Sequence, residues 1–154
     1  MEQYIIVNVE GTFQKARNKI RTVKEKNPKK LIVVSGANDN LNRQLLEKEK
    51  IDIFVPLLAK RKDFSKQRNS GFNQVMAKIA KKNKVIIGIN FDEIIAAKGK
   101  ERSRIFARVK QNINLCKKDK LKMTFVGANK RKKQEFLSLG IVLGMPTWMP
   151  FFFD

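Results

Sequence analysis

Leu31-Ile-Val-Val-Ser-Gly-Ala-Asn38 is a β-branched apolar run that stops at a glycine and turns through Ala-Asn. Such a run, apolar at consecutive rather than alternate positions, suits a strand of a parallel sheet covered on both faces. Four more stretches read the same way: Tyr4 to Val9, Ile51 to Val55, Val85 to Asn90 and Lys122 to Val126. The last leads into Phe125-Val-Gly-Ala-Asn129, a local echo of residues 34–38 where a strand again turns toward a helix. Between the runs the apolar residues take up the helical period of 3.6. Phe13, Ala16, Ile20 and Val23 share one helical face. A shorter helix is predicted over Asn40 to Lys48. Another starts near Ser70 as N-cap, with Phe72, Val75, Met76 and Ile79 inward. A six- or seven-residue helix follows from Phe91 to Ala97. The longest runs from about Glu101 to Lys118 and buries Ile105, Val109, Ile113 and Cys116; a last one covers Lys133 to Leu143. Strand and helix in strict alternation give an α/β protein of parallel βα repeats, one domain over residues 1–154, with residues 145–154 an apolar aromatic tail. Five strands fit an open doubly wound sheet or a segment of a barrel. A full eight-fold barrel takes roughly 250 residues, so a barrel here is a reduced one.

The charge is lopsided. Lys plus Arg number 34 against 14 Asp plus Glu, a formal +20, with no His and one Cys. Without His there is no Ser-His or Cys-His nucleophile pair, no imidazole base and no His-ligated zinc within the chain. One Cys allows no internal disulfide, which fits a reducing cytoplasm. No basic leader opens the sequence and no run approaches the ~18 apolar residues of a membrane span, so no membrane partner is expected. A net +20 is self-repulsive and finds its natural use in binding a polyanion, where every neutralised phosphate releases counterions. The charges are also clustered: residues 60–84 hold nine basic residues and one acid, and 130–133 is an unbroken basic run.

Those clusters supply the candidate RNA-binding residues. The long loop after the third strand carries Lys60, Arg61, Lys62, Lys66 and Arg68 around Phe64, a mix suited to phosphate contacts and base stacking; the alternative is a solvated loop with Phe64 tucked into the core. Arg102, Arg104 and Arg108 lie on the long helix, the last two one turn apart, and Lys130, Arg131, Lys132 and Lys133 follow the last strand. Asn69, Ser70, Gly71 and Asn73 form the loop-to-helix turn. Gly36 to Asn40 and Gly127 to Asn129 either hold phosphate on backbone N–H groups or are ordinary turns. Asp92 and Glu93 read as first-turn acids of a helix; a metal-dependent nuclease built on them is the competing enzymatic reading. The tail, with Trp148 and Phe151 to Phe153, either packs along an open edge of its own sheet or docks on a partner.

From Asn69 to Phe91 the order Asn-Ser-Gly-Phe-Asn-Gln-Val-Met-Ala-Lys-Ile-Ala, then Lys-Val-Ile-Ile-Gly-Ile-Asn-Phe, resembles the Asp-Ser-Gly-hydrophobic-Asn/Asp-His-Val-Leu signature of archaeal ribonuclease P protein component 3. Glu101-Arg-Ser-Arg104, Asn112-Ile-Asn-Leu115 with Lys117-Lys118, and Leu137 to Met145 continue the likeness in order. The family's Asp is Asn69 here and its His is Gln74. The resemblance implies a TIM-barrel-like subunit of the ribonucleoprotein that removes 5′ leaders from precursor tRNA, here shortened at both ends. It also implies that the RNA carries catalysis with Mg²⁺, that the protein binds no cofactor, and that ribonuclease P RNA and protein component 2 are its partners, with precursor tRNA met indirectly. The runner-up is a non-catalytic module of another ribonucleoprotein, such as a ribosome-associated factor.

Overall fold

A computed structural model describes residues 3–153; Met1, Glu2 and Asp154, the last residue of the tail, lie outside it. The chain runs β1 (Tyr4–Val9), α1 (Phe13–Lys26), β2 (Leu31–Gly36), α2 (Asp39–Lys48), β3 (Ile53–Pro56), α3 (Gln74–Lys82), β4 (Ile86–Asn90), α4 (Phe91–Ala96), α5 (Gly99–Lys118), β5 (Met123–Val126) and α6 (Lys133–Val142). All four strand pairs are parallel, in the order β1-β2-β3-β4-β5. Sequence order decides between the two architectures left open above. A doubly wound sheet reverses direction partway. Here every crossover steps the same way, and right-handed crossovers then put every helix on one face. The fold is a TIM-barrel-like segment whose sheet does not close.

The two faces of the sheet are packed differently. Val7, Ile32, Val34, Phe54, Ile87, Ile89 and Met123 point toward the helices and join the main core with Ile20, Leu45, Met76, Ile105 and Ile113. Val33, Ile53, Val55 and Val126 form a second, inner cluster, against which Tyr4, Ile86 and Phe153 pack. Gly88 lies on this inner face because nothing larger fits: a Cβ there would sit 2.6 Å from Val55 Cγ2.

The strands are strongly staggered. Tyr4 pairs with Leu31, Val33 with Ile53, Ile53 with Ile86 and Ile87 with Met123, which sets Tyr4 level with Lys120. Yet the Tyr4 hydroxyl donates to the Gly127 carbonyl (3.1 Å) and accepts from the Gly127 N–H (3.0 Å), seven residues farther on. A sheet curled with the tilt of a barrel has this offset. A side chain, not a ladder, spans the gap.

The tail takes the first of its two readings. Met123 N–H donates to Met149 O (3.1 Å) and Phe151 N–H to Met123 O (2.7 Å), so residues 149–151 lie along the free edge of β5. Met145 and Met149 are buried beneath, and Phe153 reaches Tyr4 at a ring separation of 4.7 Å.

Helix starts follow side-chain caps. Asn38 and Asn73, past the ends of β2 and β3, and Asn90, the last residue of β4, accept the N–H groups of Leu41, Met76 and Asp92. The cap of α3 is therefore Asn73, not Ser70. Ser70 is buried, its hydroxyl donating to the Phe72 carbonyl at 3.1 Å. The three-residue shift also turns Val75 outward, 48 % exposed instead of inward. The third strand is ordered two residues later than its apolar run suggests, because the Asp52 carboxylate accepts the Ile32 N–H at the start of the ladder.

Candidate nucleic-acid interface

In a parallel sheet, the segments after the strands all emerge at one end. Here the two basic ones are residues 57–73, after β3, and 127–132, after β5. Carboxylates on neighbouring segments tie them down. Glu93, in the first turn of α4, accepts the N–H groups of Leu58 (2.9 Å) and Ala59 (3.2 Å). Its neighbour Asp92 reaches the other way, to the N–H groups of Ala128 (2.8 Å) and Asn129 (2.9 Å) and to the Asn129 side chain (2.7 Å). Asp39, opening α2, holds Arg61 through both oxygens at 3.0 Å. Asp63 closes the tip of the loop by accepting the Asn69 N–H at 2.8 Å, and Glu101 accepts the Lys60 N–H at 3.1 Å. Asp92 and Glu93 are thus first-turn acids, as read from the sequence, and they also clamp the loops on either side.

These bonds set opposite shifts. The Asn69 N–H, with help from Arg108, holds the Asp63 carboxyl below its ordinary 3.8. At Asp92 burial works upward, but the N–H groups of Ala128 and Asn129 prevail and hold it low. At Glu93 burial prevails over the N–H groups of Leu58 and Ala59 and raises the carboxyl above its ordinary 4.5. The signs follow. The low Asp63 and Asp92 values stabilise both loops at any pH above the unfolded value, and this is lost as pH falls through the folded ones. Glu93 protonates first: its raised value favours folding below the unfolded value, and that contribution is lost as pH rises through the folded one. An acid titration followed by amide chemical shifts should give midpoints above 4.5 for Leu58 and Ala59, and below 3.8 for Asn69, Ala128 and Asn129. The reverse order would contradict the assignment.

The twelve candidate cations divide into two sets. Three are engaged inside the protein. Arg108 is 1 % exposed and reaches from α5 into the loop, donating to Leu58 O (2.7 Å), Arg61 O (2.8 Å) and Asp63 (3.2 Å). Arg61 joins Asp39, the Asn69 side chain and the Leu57 carbonyl, and its side chain is 9 % exposed. Arg102 donates to Ile94 O, Ile95 O and Ala97 O and so caps the C-terminal end of α4. The Arg61 and Arg108 groups shape the surface from within, whereas Arg102 holds the end of α4 while remaining exposed. The sequence reading placed Arg108 one turn from Arg104 as a gripping pair; the structure separates them, because Arg108 shares the buried face with Ile105, Val109 and Asn112. Lys60, Lys62, Lys66, Arg68, Arg104, Lys130, Arg131, Lys132 and Lys133 are exposed. Among them only Arg104 has an ion pair among the described residues, at 3.9 Å to Glu101.

Phe64 stands out from this set at 63 % exposure, at a turn closed by its own N–H to Gln67 O (2.9 Å). The loop-to-helix turn behind it is rigid. Asn69 Oδ1 accepts the Gly71 N–H, and Asn112 donates to Ser70 O at 3.3 Å. Two features escaped the sequence reading. A groove along α5 adds Lys110 and Lys118 beside Arg68, with Gln111 and Asn114 between; the spacing of four through 110, 114 and 118 was the available signal. The basic run after β5 also shares a cleft with the aromatic tail, residues that no local pattern connects. No group of three or more His, Cys, Asp or Glu placed to hold a metal ion occurs among the described residues, and no helix there is long and apolar enough to cross a membrane.

Comparison with known proteins decides the family. The model of RNase P subunit p30 matches residues 6–146. The chain belongs to that family. Ribonuclease P protein component 3 of Methanosarcina acetivorans is 30% identical over 128 residues, covering 79% of this chain and 50% of the relative. The protein of the same name from Methanococcus maripaludis is 27% identical over 110 residues, 71% of this chain and 41% of its own. The p30-family chain described here thus spans about half the length of the curated relatives it matches. A chain in a cryo-EM structure of archaeal ribonuclease P with mature tRNA superposes with a TM-score of 0.75 at 23% identity, over 94% of this chain and 61% of that one. That likeness gives the fold alone, in agreement with the unidirectional βα repeats, and the family match agrees with the resemblance read from residues 69–145.

Proposed function

We propose that this p30-family chain is an RNA-binding protein subunit of the ribonuclease P ribonucleoprotein, supporting the catalytic RNA as it removes 5′ leaders from precursor tRNA in the cytoplasm. The observation that carries the reading is the end of the sheet where exposed cations from residues 60–68 and 130–133 emerge together on segments held by internal carboxylates. Segments whose backbone is held in place lose little main-chain freedom on meeting a polyanion, and each phosphate their cations neutralise releases counterions. Phe64, exposed among them, suits stacking on an unpaired base. The protein's partners on this reading are ribonuclease P RNA and protein component 2, with precursor tRNA met through the assembled particle. Mg²⁺ belongs to the RNA. Asp92 and Glu93, on which a stand-alone nuclease would draw, are occupied by backbone N–H groups.

Two measurements test the proposal. Affinity for structured RNA should fall with salt along a log–log slope of magnitude roughly 4 to 5, as expected for about 5 neutralised phosphates. A nearly flat dependence would count against it. Pull-down of the tagged protein from its native cell should enrich one structured RNA together with nuclease-sensitive 5′-leader cleavage. Recovery of ribosomal RNA without cleavage would instead favour another ribonucleoprotein.

A further inference from the structure

The gap between β1 and β5, crossed by the Tyr4 side chain and not by a ladder, opens into a cleft of about 290 Å³, the lower end of the range for small-ligand cavities. Its walls are aromatic. Tyr4 and Phe153 lie 4.7 Å apart on one side, Phe125 and Phe136 stack at 5.0 Å on another, and Phe152 lines it as well. Its rim is cationic: Lys130, Arg131 and Lys133 line it, and among the described residues no carboxylate does so and none of the three has an ion pair. Lys133 Nζ sits 5.0 Å from the centre of the Phe152 ring. Gln3, Thr124 and Asn129 add polar groups to the same walls.

We propose that this cleft receives the base of a single unpaired nucleotide, with the flanking phosphates on Lys130, Arg131 and Lys133. The inference rests on the RNA-binding reading and adds to it a second site with different chemistry. Phosphate alone needs the cations but not the rings. An apolar peptide needs the rings but would leave three cations without a partner. A nucleotide satisfies both, and it must be unpaired, since in a duplex the base faces are covered by their neighbours. The polar groups on the walls can meet a base edge.

The test holds phosphate charge constant. A labelled oligoadenylate hexamer and a hexamer of abasic ribose phosphates are titrated into the protein at one salt concentration. The oligoadenylate should bind roughly fivefold or more tightly, the span of one base on an aromatic face. Phe152→Leu, which keeps an apolar side chain, should remove most of the difference, while Trp148→Leu, at an exposed ring outside the cleft, should preserve it and Lys133→Gln should weaken both hexamers. In the unsubstituted protein, the amides of Thr124 and Gly127 should shift with oligoadenylate and far less with the abasic strand, a readout independent of any loss of stability in the variants. Equal affinity for the two hexamers overturns the pocket, as does a difference that survives Phe152→Leu and disappears in Phe64→Ala. If the hexamers bind equally while structured RNA still binds with the steep salt slope, the RNA-binding reading stands and only the pocket falls.

Discussion

Changing Lys62, Lys66, Arg68, Lys130, Arg131 and Lys133 together to Gln should lower affinity for structured RNA by roughly three to four orders of magnitude at physiological salt, and bring the salt slope close to zero. Each phosphate contact removed takes about 0.9 from the slope and the counterion release that goes with it. All six side chains are exposed and none holds another part of the chain through an ion pair among the described residues, so stability should change little. The matching control is the removal of six lysines from the other end of the strands: Lys26, Lys29, Lys30, Lys81, Lys82 and Lys117. It subtracts the same net charge from a surface facing away from both basic segments. Filter binding across a salt series compares the two. A loss of equal size in both would mean that net charge alone binds RNA and that the interface is not where we place it.

The other large effect concerns stability. Arg108→Ala should reduce the free energy of unfolding by about 3–5 kcal/mol, read from urea denaturation. The guanidinium is buried, and its loss leaves the Leu58 and Arg61 carbonyls without a donor and Asp63 Oδ1 with the Asn69 N–H alone. Arg108→Lys should recover only part of this, because a single ammonium cannot span two carbonyls and a carboxylate as a planar fork does. Were Arg108 an RNA contact, as its place in the sequence suggested, the outcome would differ: stability near that of the parent and a salt slope smaller by about 0.9.

Arg108 also marks where sequence patterning stops being informative. The strands, the helices and the direction of the core are legible because they follow from continuous apolar runs and a period of 3.6, and Ile105, Val109, Ile113 and Cys116 lie where that pattern puts them. The basic runs are equally legible, since net charge needs no fold to be counted. What a side chain does with its charge depends on contacts distant in sequence. Arg108 bonds to residues 45 to 50 positions away, and Asp92 to residues 36 and 37 away. Nothing local separates Arg108 from Arg104, although Asn112, four residues on and also buried, hints that this stripe of α5 faces polar groups. The displaced cap of α3 is similar. Ser70 and Asn73 are both good N-caps, and the choice between them is made by Asn112 and Gln111, which fix the Ser70 backbone and hydroxyl from another helix. The cleft joins residue 4, residues 124–136 and residues 152–153, which only a curled sheet brings together.

The carboxylate clamps at the end of the sheet have an evolutionary side. Glu93 and Asp92 grip main-chain N–H groups, which every residue but proline possesses, so the shape of the basic segments depends little on which side chains they carry. A lysine can move by a position or become an arginine while the backbone beneath it stays put. A surface that recognises its partner by charge can therefore drift rapidly in sequence without drifting in form.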